Sequence, residues 1–388
     1  MSGPPRIYLD NAATSWPKPD AVYDAVDRYQ RECGAAYGRG VYAEATQAAR
    51  LVEAARQGLA KWLGAGDPRR IAFTCNGTDA INLALHGLLR AGDHVVTTVV
   101  EHNSVLRPLR YLEDAGQINV DRVPCDGQGL VDAEAIRLAL RPNTRLIALT
   151  HVSNVTGAIQ PVDAVSAIAQ EQGALLLIDA AQSAGHLPLN LARLPADLLA
   201  APGHKGLLGP LGTGFLYVRP GLELRPVRQG GTGSHSNDDH QPADMPDRYE
   251  SGNLNVPGLA GLAAALEWLE ERTVESIRQH ELELTQRLLD GLSELPGVAL
   301  HGPPSACRRA GVVSFTLQGY DPQEVAMLLD QEGGVQVRAG IHCAPLMHRT
   351  QGTLDNGGTV RFSPGPFNTL DQIDVAVNLV RHLATGET

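Results

Sequence analysis

The chain places a carboxylate and an amine where two neighbouring strands are expected to end. The apolar run 174–178 leads into Asp179, and a second short run, 198–201, is followed closely by Lys205. In open α/β sheets the carboxyl ends of the strands form the edge at which ligands bind. Both groups are therefore expected at one edge of one sheet.

A lysine and an aspartate at such an edge suit a pyridoxal 5'-phosphate (PLP) site. The amine of Lys205 would form an imine with the cofactor, and the carboxylate of Asp179 would keep its pyridine nitrogen protonated. The two residues alone leave an alternative open, namely a surface lysine in a loop and an aspartate that caps a helix.

Other predicted strands end in polar side chains as well. The strand 71–74 runs into Gly77 and Thr78 before a helix, which is typical of a phosphate site at a helix N-terminus and equally of an ordinary helix cap. Because parallel strands end at one edge, we expect a single site there. The remaining side chains expected at this edge are His102, Asn154, Gln182 and His204.

Composition narrows the class of protein. The net charge of -11 argues against a general nucleic-acid binder. The five cysteines contain no CxxC pair, so neither a disulfide framework nor a zinc ribbon is predicted, and a reducing cytoplasm is the simplest setting. No signal peptide or transmembrane stretch is read, so no membrane partner is expected.

The alternation of strands and helices through residue 218 predicts an α/β fold with a mostly parallel, doubly wound sheet. Residues 213–218 form a further strand, expected to be antiparallel. The apolar spacing over 258–295 predicts one long helix that bridges to a smaller C-terminal α+β domain. The Gly-, Asp- and His-rich segment 228–247 is interpreted as a mobile or partner-facing loop, or as a ligand clamp.

The C-terminal part holds a second chemical feature. Cys343 follows a strand predicted over 335–338 and a glycine turn, at a predicted helix start, where a reactive thiolate is favoured by the helix N-terminus or by His342. Arg361 suits two-point binding of a carboxylate. A buried structural cysteine and a surface salt bridge are the alternatives. No metal site is predicted, because His342, Cys343 and His348 lack a complete ligand set.

Taken together, these residues resemble a family: the class V, fold-type I PLP enzymes, and within it the cysteine desulfurases of the group that includes selenocysteine lyases. The similarity spans almost the whole chain. The motifs that carry it are Tyr8-Leu-Asp-Asn-Ala-Ala, Asn76-Gly-Thr-Asp, Glu101-His-Asn-Ser, His151-Val-Ser-Asn, Asp179-Ala-Ala-Gln, Gly203-His-Lys, Tyr249-Glu-Ser-Gly, Arg338-Ala-Gly-Ile-His-Cys and Thr359-Val-Arg-Phe-Ser.

The resemblance implies a role for each matching residue. Lys205 corresponds to the imine-forming lysine, Asp179 to the partner of the pyridine nitrogen, and Cys343 to the sulfur-accepting nucleophile. Arg361 corresponds to the substrate carboxylate clamp, with Asn154 and Ala12 also beside the substrate. His102 is implied to stack on the cofactor ring and is expected to be a catalytic residue together with Lys205 and Cys343. The remaining cofactor contacts implied are phenolic-oxygen contacts from Asn154 and Gln182, and phosphate contacts from Gly77, Thr78, His204 and Asn253.

The sequence departs from the family pattern at several positions, and Gly38 and Tyr42 fall where the family often has histidines near the substrate. Pro202 stands where a Ser or Thr is usual, and Ile341 replaces the first of two histidines before the cysteine. Asn253 stands where a threonine of the partner subunit usually reaches the phosphate, so the resemblance implies a homodimer.

The implied organisation is a PLP-transferase of fold type I with a seven-stranded, mostly parallel sheet. We expect an N-terminal arm at 1–20 packed on the small domain, a large PLP-binding domain at 21–270 and a small domain at 271–388. The implied activity is that of a cytoplasmic cysteine desulfurase, which converts L-cysteine to L-alanine and passes sulfur through a persulfide on Cys343 to an acceptor protein, as in iron–sulfur cluster assembly. Selenocysteine lysis, cysteine sulfinate desulfination and another class V reaction remain alternatives, as do a non-catalytic PLP scaffold and a sulfur-carrier module using residues 228–247.

Overall fold

A computed structural model of the chain describes residues 6–38, 40–234 and 236–386. The first five residues of the predicted N-terminal arm and His235 of the segment 228–247 lie outside the described residues. Within these ranges no helix combines the length and apolar character needed to cross a membrane.

The central element is a seven-stranded sheet with the strand order β2-β8-β7-β6-β5-β3-β4. β8 is antiparallel to both neighbours and the other strands are parallel, which confirms the predicted α/β architecture. Its strands are β2 (Ile71–Thr74), β3 (Asp93–Thr98), β4 (Ile118–Val123), β5 (Thr144–Thr150), β6 (Leu175–Asp179), β7 (Leu198–Pro202) and β8 (Gly214–Val218).

Helices cover both faces of this sheet, which explains why inner strands such as β7 and β8 are buried along their whole length. Side chains of β2 alternate between the two resulting cores, with Ile71 and Phe73 in one and Ala72 in the other. The helices of this part are α1 (Asp20–Arg28), α2 (Ala43–Leu63), α3 (Gly77–Leu88), α4 (Asn103–Asp114), α5 (Ala133–Ala139), α6 (Val162–Gln172) and α7 (Val256–Arg272).

The C-terminal part is built on a four-stranded antiparallel sheet, ordered β12-β13-β10-β9 and backed by helices. The predicted smaller α+β unit is thus present, whereas its boundary at residue 271 stays a prediction. Its elements are α8 (Val274–Ser293), β9 (Val298–His301), β10 (Val313–Leu317), α9 (Pro322–Gly333), β11 (Val335–Gln336), β12 (Arg338–Gly340), α10 (Pro345–Thr350), β13 (Thr359–Phe362) and α11 (Leu370–Thr385).

Two contacts join distant parts of the chain. The N-terminal strand β1 (Ile7–Tyr8) pairs in parallel with β11, so the start of the chain lies against its C-terminal part. His186, which follows β6, contacts the buried carboxylate of Glu281 on α8 at 2.8 Å. These two contacts hold the C-terminal unit against the N-terminal strand and against the segment that follows β6.

Two predicted elements were wrong in detail. The long helix expected over 258–295 is broken at Thr273, because its φ of 63° is incompatible with a right-handed helix. The Thr273 hydroxyl instead caps α8 by accepting the Ser276 N–H. The single strand expected over 335–338 is two short strands, β11 and β12, which belong to different sheets. Sequence periodicity does not register either change, because both depend on the direction of the backbone.

Candidate active site

The carboxyl ends of β2, β3, β5, β6 and β7 meet around a cavity of about 100 Å³. The structure therefore brings the side chains predicted from five separate strand ends to one place. Residues from the sequence prediction that line it are Gly77, Thr78, His102, Asn154, Asp179, Gln182, His204 and Lys205. Asn76, Ser104, Thr150 and Pro202 line it as well and had no predicted role.

Lys205 lies in the turn that follows β7, with its amine in a largely desolvated position. Burial lowers the pKa of Lys205 to about 8, whereas the carboxylate of Asp179 acts in the opposite direction. Within the described part of the chain the amine makes no hydrogen bond or ion pair. A fraction of neutral amine is thus present near neutral pH, which nucleophilic attack on a carbonyl requires.

Asp179 ends β6 and is buried. One carboxylate oxygen accepts the N–H of Ala181 at 2.9 Å, which fixes the side chain over the cavity. Burial raises the pKa of Asp179, against the effects of the Ala181 N–H and of Lys205. A cationic N–H placed in the cavity would stabilise the charged carboxylate.

The first turn of α3 offers free backbone donors to the cavity. The ordinary helix cap, left open above as the alternative to a phosphate site, is made by Asn76, which accepts the Asp79 N–H at 2.9 Å. The N–H groups of Gly77 and Thr78 have no partner among the described residues. A Cβ at Gly77 would lie 3.1 Å from Cδ of Pro202, so glycine allows the helix start to approach β7 closely.

His102 has both a structural and a site-lining role. Its Nδ1 accepts the Ser104 N–H at 3.0 Å and so caps α4. Burial, followed by the charge of Lys205, lowers the pKa of His102 to about 4. The ring is therefore neutral at pH 7, with its proton assigned to Nε2, and it presents an uncharged aromatic surface to the cavity.

His204 lies beside Lys205 and is partly buried. Its Nδ1 is buried without a hydrogen-bond partner in the described structure. Burial, followed by the charges of Lys205 and Lys18, lowers the pKa of His204 to about 4. A buried neutral ring with an unpaired nitrogen suits a ligand that supplies the missing hydrogen bond.

Two amides bind the cavity to distant parts of the chain. Gln182 donates to the carbonyl of Ala12 at 2.9 Å, and Asn154 donates to the carbonyl of His342 at 2.5 Å. Ala12 therefore lies next to the cavity wall, and its predicted contact with the substrate stays a prediction. The loop that carries Cys343 is attached to the same wall through its neighbour.

Arg361 on β13 is fully buried. Its Nη1 donates to the carbonyl of Asn154 at 3.1 Å, and its Nη2 donates to Oδ1 of Asp10 at 2.8 Å. Arg361, predicted as the carboxylate clamp, thus contacts Asn154 of the cavity wall but does not itself line the cavity. Its contact with Asp10 was not predicted.

Cys343 is partly buried in a strained turn, with φ of 59° after His342 at 49°. Its carbonyl accepts the Asn103 N–H at 2.8 Å, and Nη2 of Arg338 approaches its Sγ at 3.5 Å. His342 cannot be the predicted cation, because burial lowers its pKa to about 2. Nor does the thiol stand at the helix start, since α10 begins at Pro345.

Asn253 lies apart from these residues. It lines a separate small pocket with Tyr37 and Glu250 rather than the cavity of Lys205. Glu250 in turn is paired with the buried Arg56 at 2.8 Å. Within one protomer Asn253 is therefore not a component of the cavity that contains Lys205.

Neither Asp10 nor Arg338 was predicted to have a role in the site. A signal was available for Asp10, because it follows the short apolar run 7–9 as Asp179 follows the run 174–178. For Arg338 no signal was available, because its position depends on the strand register, which sets it opposite Arg361 on the neighbouring strand. That pairing cannot be read from the sequence.

Comparison with known proteins is consistent with this geometry. A family model described as aminotransferase class-V matches residues 7–375. The chain belongs to the class-V aminotransferase family. A probable cysteine desulfurase of Methanothermobacter thermautotrophicus is 37% identical over 384 residues, which cover 98% of this chain and 95% of the relative. Another, of Halalkalibacterium halodurans, is 38% identical over 386 residues, covering 96% and 92%.

Solved structures place the fold in the same family. The apo structure of a cysteine desulfurase from Thermococcus onnurineus NA1 superposes with a TM-score of 0.92 at 35% identity, over 98% of this chain and 95% of that one. The Escherichia coli cysteine desulfurase CsdA gives a TM-score of 0.87 at 31% identity, over 96% and 93%. The predicted fold, that of the fold-type I enzymes, is confirmed.

Proposed function

We propose that this protein is a PLP-dependent cysteine desulfurase, which converts L-cysteine to L-alanine and holds the released sulfur as a persulfide on Cys343. The observation that carries the proposal is the position of Cys343. Its loop is bonded to the wall of the Lys205 cavity through Asn154, and its Sγ lies beside Arg338. The names of the family relatives support the same activity.

The residues around the cavity fit PLP. Lys205 would bind the cofactor's carbonyl carbon, and Asp179 would accept from its pyridine nitrogen. The unpaired N–H groups of Gly77 and Thr78, with the unpartnered Nδ1 of His204, suit its phosphate. Further contacts are assigned to the ring face by His102 and to the phenolic oxygen by Asn154 and Gln182.

Once bound, PLP supplies an electron sink for negative charge at the substrate α-carbon. Arg361 binds the substrate carboxylate and so orients the α-carbon toward Lys205. The neutral amine of Lys205 removes the α-proton, which its lowered pKa of about 8 makes feasible near neutral pH. The neutral ring of His102 lines the same cavity and offers an aromatic face to the cofactor ring.

Sulfur transfer is assigned to Cys343. Its thiolate Sγ forms a bond with the substrate sulfur while the substrate Cβ–S bond breaks. The electron pair of that bond stays on Cβ, which is protonated to become the methyl group of alanine. Arg338 is the cation closest to the attacking sulfur among the contacts described. A thiol of an acceptor protein then takes the outer sulfur from the persulfide.

We further propose that the protein acts as a homodimer in the cytoplasm. Support for the dimer is that Asn253 lies outside the cavity of its own protomer, so its predicted phosphate contact requires a neighbouring subunit. The acceptor is defined here only by its chemistry, as a protein with an accessible thiol.

The proposed reaction is tested by measuring alanine and sulfide released from L-cysteine in the presence of a reductant. We expect Lys205→Ala and Cys343→Ala each to reduce alanine formation by at least about a hundredfold, because each removes a group that touches the reacting atoms. Cys307→Ala is the matched control, since Cys307 is an exposed free thiol away from the cavity.

Two outcomes would contradict the proposal. Full activity of Cys343→Ala with L-cysteine would remove the persulfide role, and equal losses in Cys343→Ala and Cys307→Ala would show that any thiol replacement impairs the protein. Mass spectrometry of the wild type after incubation with L-cysteine should find one added sulfur atom on the peptide that contains Cys343.

A further inference from the structure

The carboxylate that Arg361 contacts belongs to the chain itself. Arg361 is 0% exposed. Its Nη2 donates to Oδ1 of Asp10 at 2.8 Å, and its Nη1 donates to the Asn154 carbonyl. Its Nε is buried and has no hydrogen-bond partner in the described structure. One of five donors on Arg361 is thus paired with an anion, and another nitrogen is left unsatisfied.

The shape of a guanidinium makes this contact consequential for substrate binding. A carboxylate can form two parallel bonds along the Nε–Nη2 edge or along the Nη1–Nη2 edge. Both edges contain Nη2, the nitrogen that Asp10 contacts. A substrate carboxylate that binds Arg361 at two points must therefore share Nη2 with Asp10 or displace it.

Asp10 is placed so that its side chain can move while its backbone stays. Backbone bonds on both sides hold the strand, from Ser363 to the Leu9 carbonyl at 2.7 Å and from Asn11 to the Ser363 carbonyl at 3.1 Å. The side chain of Asp10 is 22% exposed, against 1% for Arg361. Water can therefore solvate the Asp10 carboxylate on release, whereas Arg361 cannot reach water.

The surrounding charges explain why Arg361 needs a carboxylate at all times. The positive charges of Lys205, Arg338 and Arg361 repel one another: in addition to burial, Arg361 and Arg338 lower the pKa of Lys205, and Arg338 lowers the pKa of Arg361. Asp10 offsets this positive charge. Exchange of its carboxylate for that of an amino acid would leave the local charge unchanged, whereas a ligand without a carboxylate would leave Arg361 unpaired.

We propose that Asp10 occupies the place of the substrate carboxylate in the free protein. Its side chain stabilises Arg361 and releases Nη2 when an α-amino acid binds. This inference rests on the proposed function of Arg361 as the carboxylate clamp. It makes Asp10 a determinant of affinity and specificity: the substrate must carry a carboxylate able to replace it, so L-cysteine is accepted and the corresponding amine, cysteamine, is disfavoured.

The test compares Asp10→Asn and Asp10→Ala with the wild type, using the PLP-loaded protein. Asp374→Asn is the matched control, because it breaks a bidentate but exposed aspartate–arginine pair with Arg287. We expect the KM for L-cysteine to fall about tenfold in both Asp10 variants, the effect of removing one competing charge-assisted bond. The control should retain the wild-type KM.

A second readout does not depend on turnover. The melting temperature is measured in increasing sodium acetate, with sodium chloride at the same ionic strength as reference. We expect acetate to raise the melting temperature of the Asp10 variants beyond the chloride value, because it can occupy the place of the missing carboxylate. The wild type and Asp374→Asn should show no such difference.

A higher KM in both Asp10 variants, with no specific effect of acetate, would overturn the proposal and make Asp10 a fixed support of Arg361. Should Asp10→Asn be insoluble, Asp10→Ala is read in the same way. Failure of the proposed function can be distinguished from failure of this inference. A wild type that forms no alanine from L-cysteine would contradict the proposed function, whereas stabilisation of the Asp10 variants by acetate would still support the exchange at Arg361.

Discussion

Lys205 shows how burial changes the chemistry of a single residue. Its pKa of about 8 lies well below the ordinary 10.5, and desolvation is the main cause. Below pH 8 the amine is charged in both the folded and the unfolded chain, so the folded state bears the full cost of a buried charge. Between pH 8 and 10.5 only the unfolded chain keeps the proton, so this contribution to the free energy of unfolding rises with pH.

Replacement of this amine by an apolar group of similar length should therefore stabilise the cofactor-free protein. We expect Lys205→Met to raise the free energy of unfolding at pH 7 by up to about 3 kcal/mol, and this gain to shrink as the pH approaches 10. Urea unfolding at pH 7 and pH 9.5 measures both values. Lys61→Met, at an exposed lysine of α2, is the control and should show no comparable change with pH. A gain in the free energy of unfolding that grows with pH would refute the lowered pKa of Lys205.

At the level of elements, a short N-terminal segment contacts three parts of the site. Asp10 binds Arg361, the carbonyl of Ala12 accepts from Gln182, and Thr14 donates to the carbonyl of His204 at 3.1 Å. Lys18 donates to the same carbonyl at 3.3 Å. This part of the predicted N-terminal arm, in which only Ala12 was expected beside the substrate, therefore connects Arg361 to the turn that carries Lys205.

The break between α7 and α8 is the second element-level feature. Thr273 combines a positive φ with a side-chain cap on α8, so its hydroxyl and its backbone have opposite effects on stability. We expect Thr273→Val to lower the free energy of unfolding by about 1 kcal/mol, because it loses the cap and keeps the strain. Thr273→Gly should lie within a few tenths of the wild type, about the cost of a glycine cap. Equal stability of the valine variant in urea unfolding would contradict this account.

At the level of the whole molecule, each site draws on residues far apart in the chain, and by our proposal on a second protomer. Asn253 and Lys205 line different pockets of one chain. If Asn253 serves the neighbouring site, a defect in it impairs the partner's cavity and not its own. Mixed dimers separate these two arrangements.

We expect Lys205→Ala and Asn253→Ala homodimers both to be impaired, and a mixed dimer of the two to regain up to half of the wild-type activity. One of its sites then combines an intact Lys205 with an intact Asn253 from the other subunit. Differently tagged chains, co-expressed and purified through both tags, give the mixed dimer for an alanine assay with L-cysteine. Activity no higher than the average of the two homodimers would show that Asn253 acts within its own protomer, or not at all.

Much of the fold could be predicted because its signals are local. The strands of the central sheet are short apolar runs ended by polar residues, and their alternation with helices restricts the topology to a parallel sheet. The convergence of Thr78, His102, Asn154, Asp179 and Lys205 follows from this topology alone, since parallel strands end at one edge. The break at Thr273 was missed because apolar spacing continues across it.

The sequence by itself thus determined the order of elements, the edge at which a ligand binds and the residue types available there. Only the tertiary structure decided how those residues are paired and charged: Asp10 with Arg361, Arg338 with Cys343, and His342 neutral. The physical reason is that pairing and desolvation depend on how the backbone folds. Asp10 and Arg361 are 351 residues apart, and even Arg338 and Cys343, which are only five apart, meet through a turn that residue spacing does not predict. No local pattern in the chain encodes such contacts.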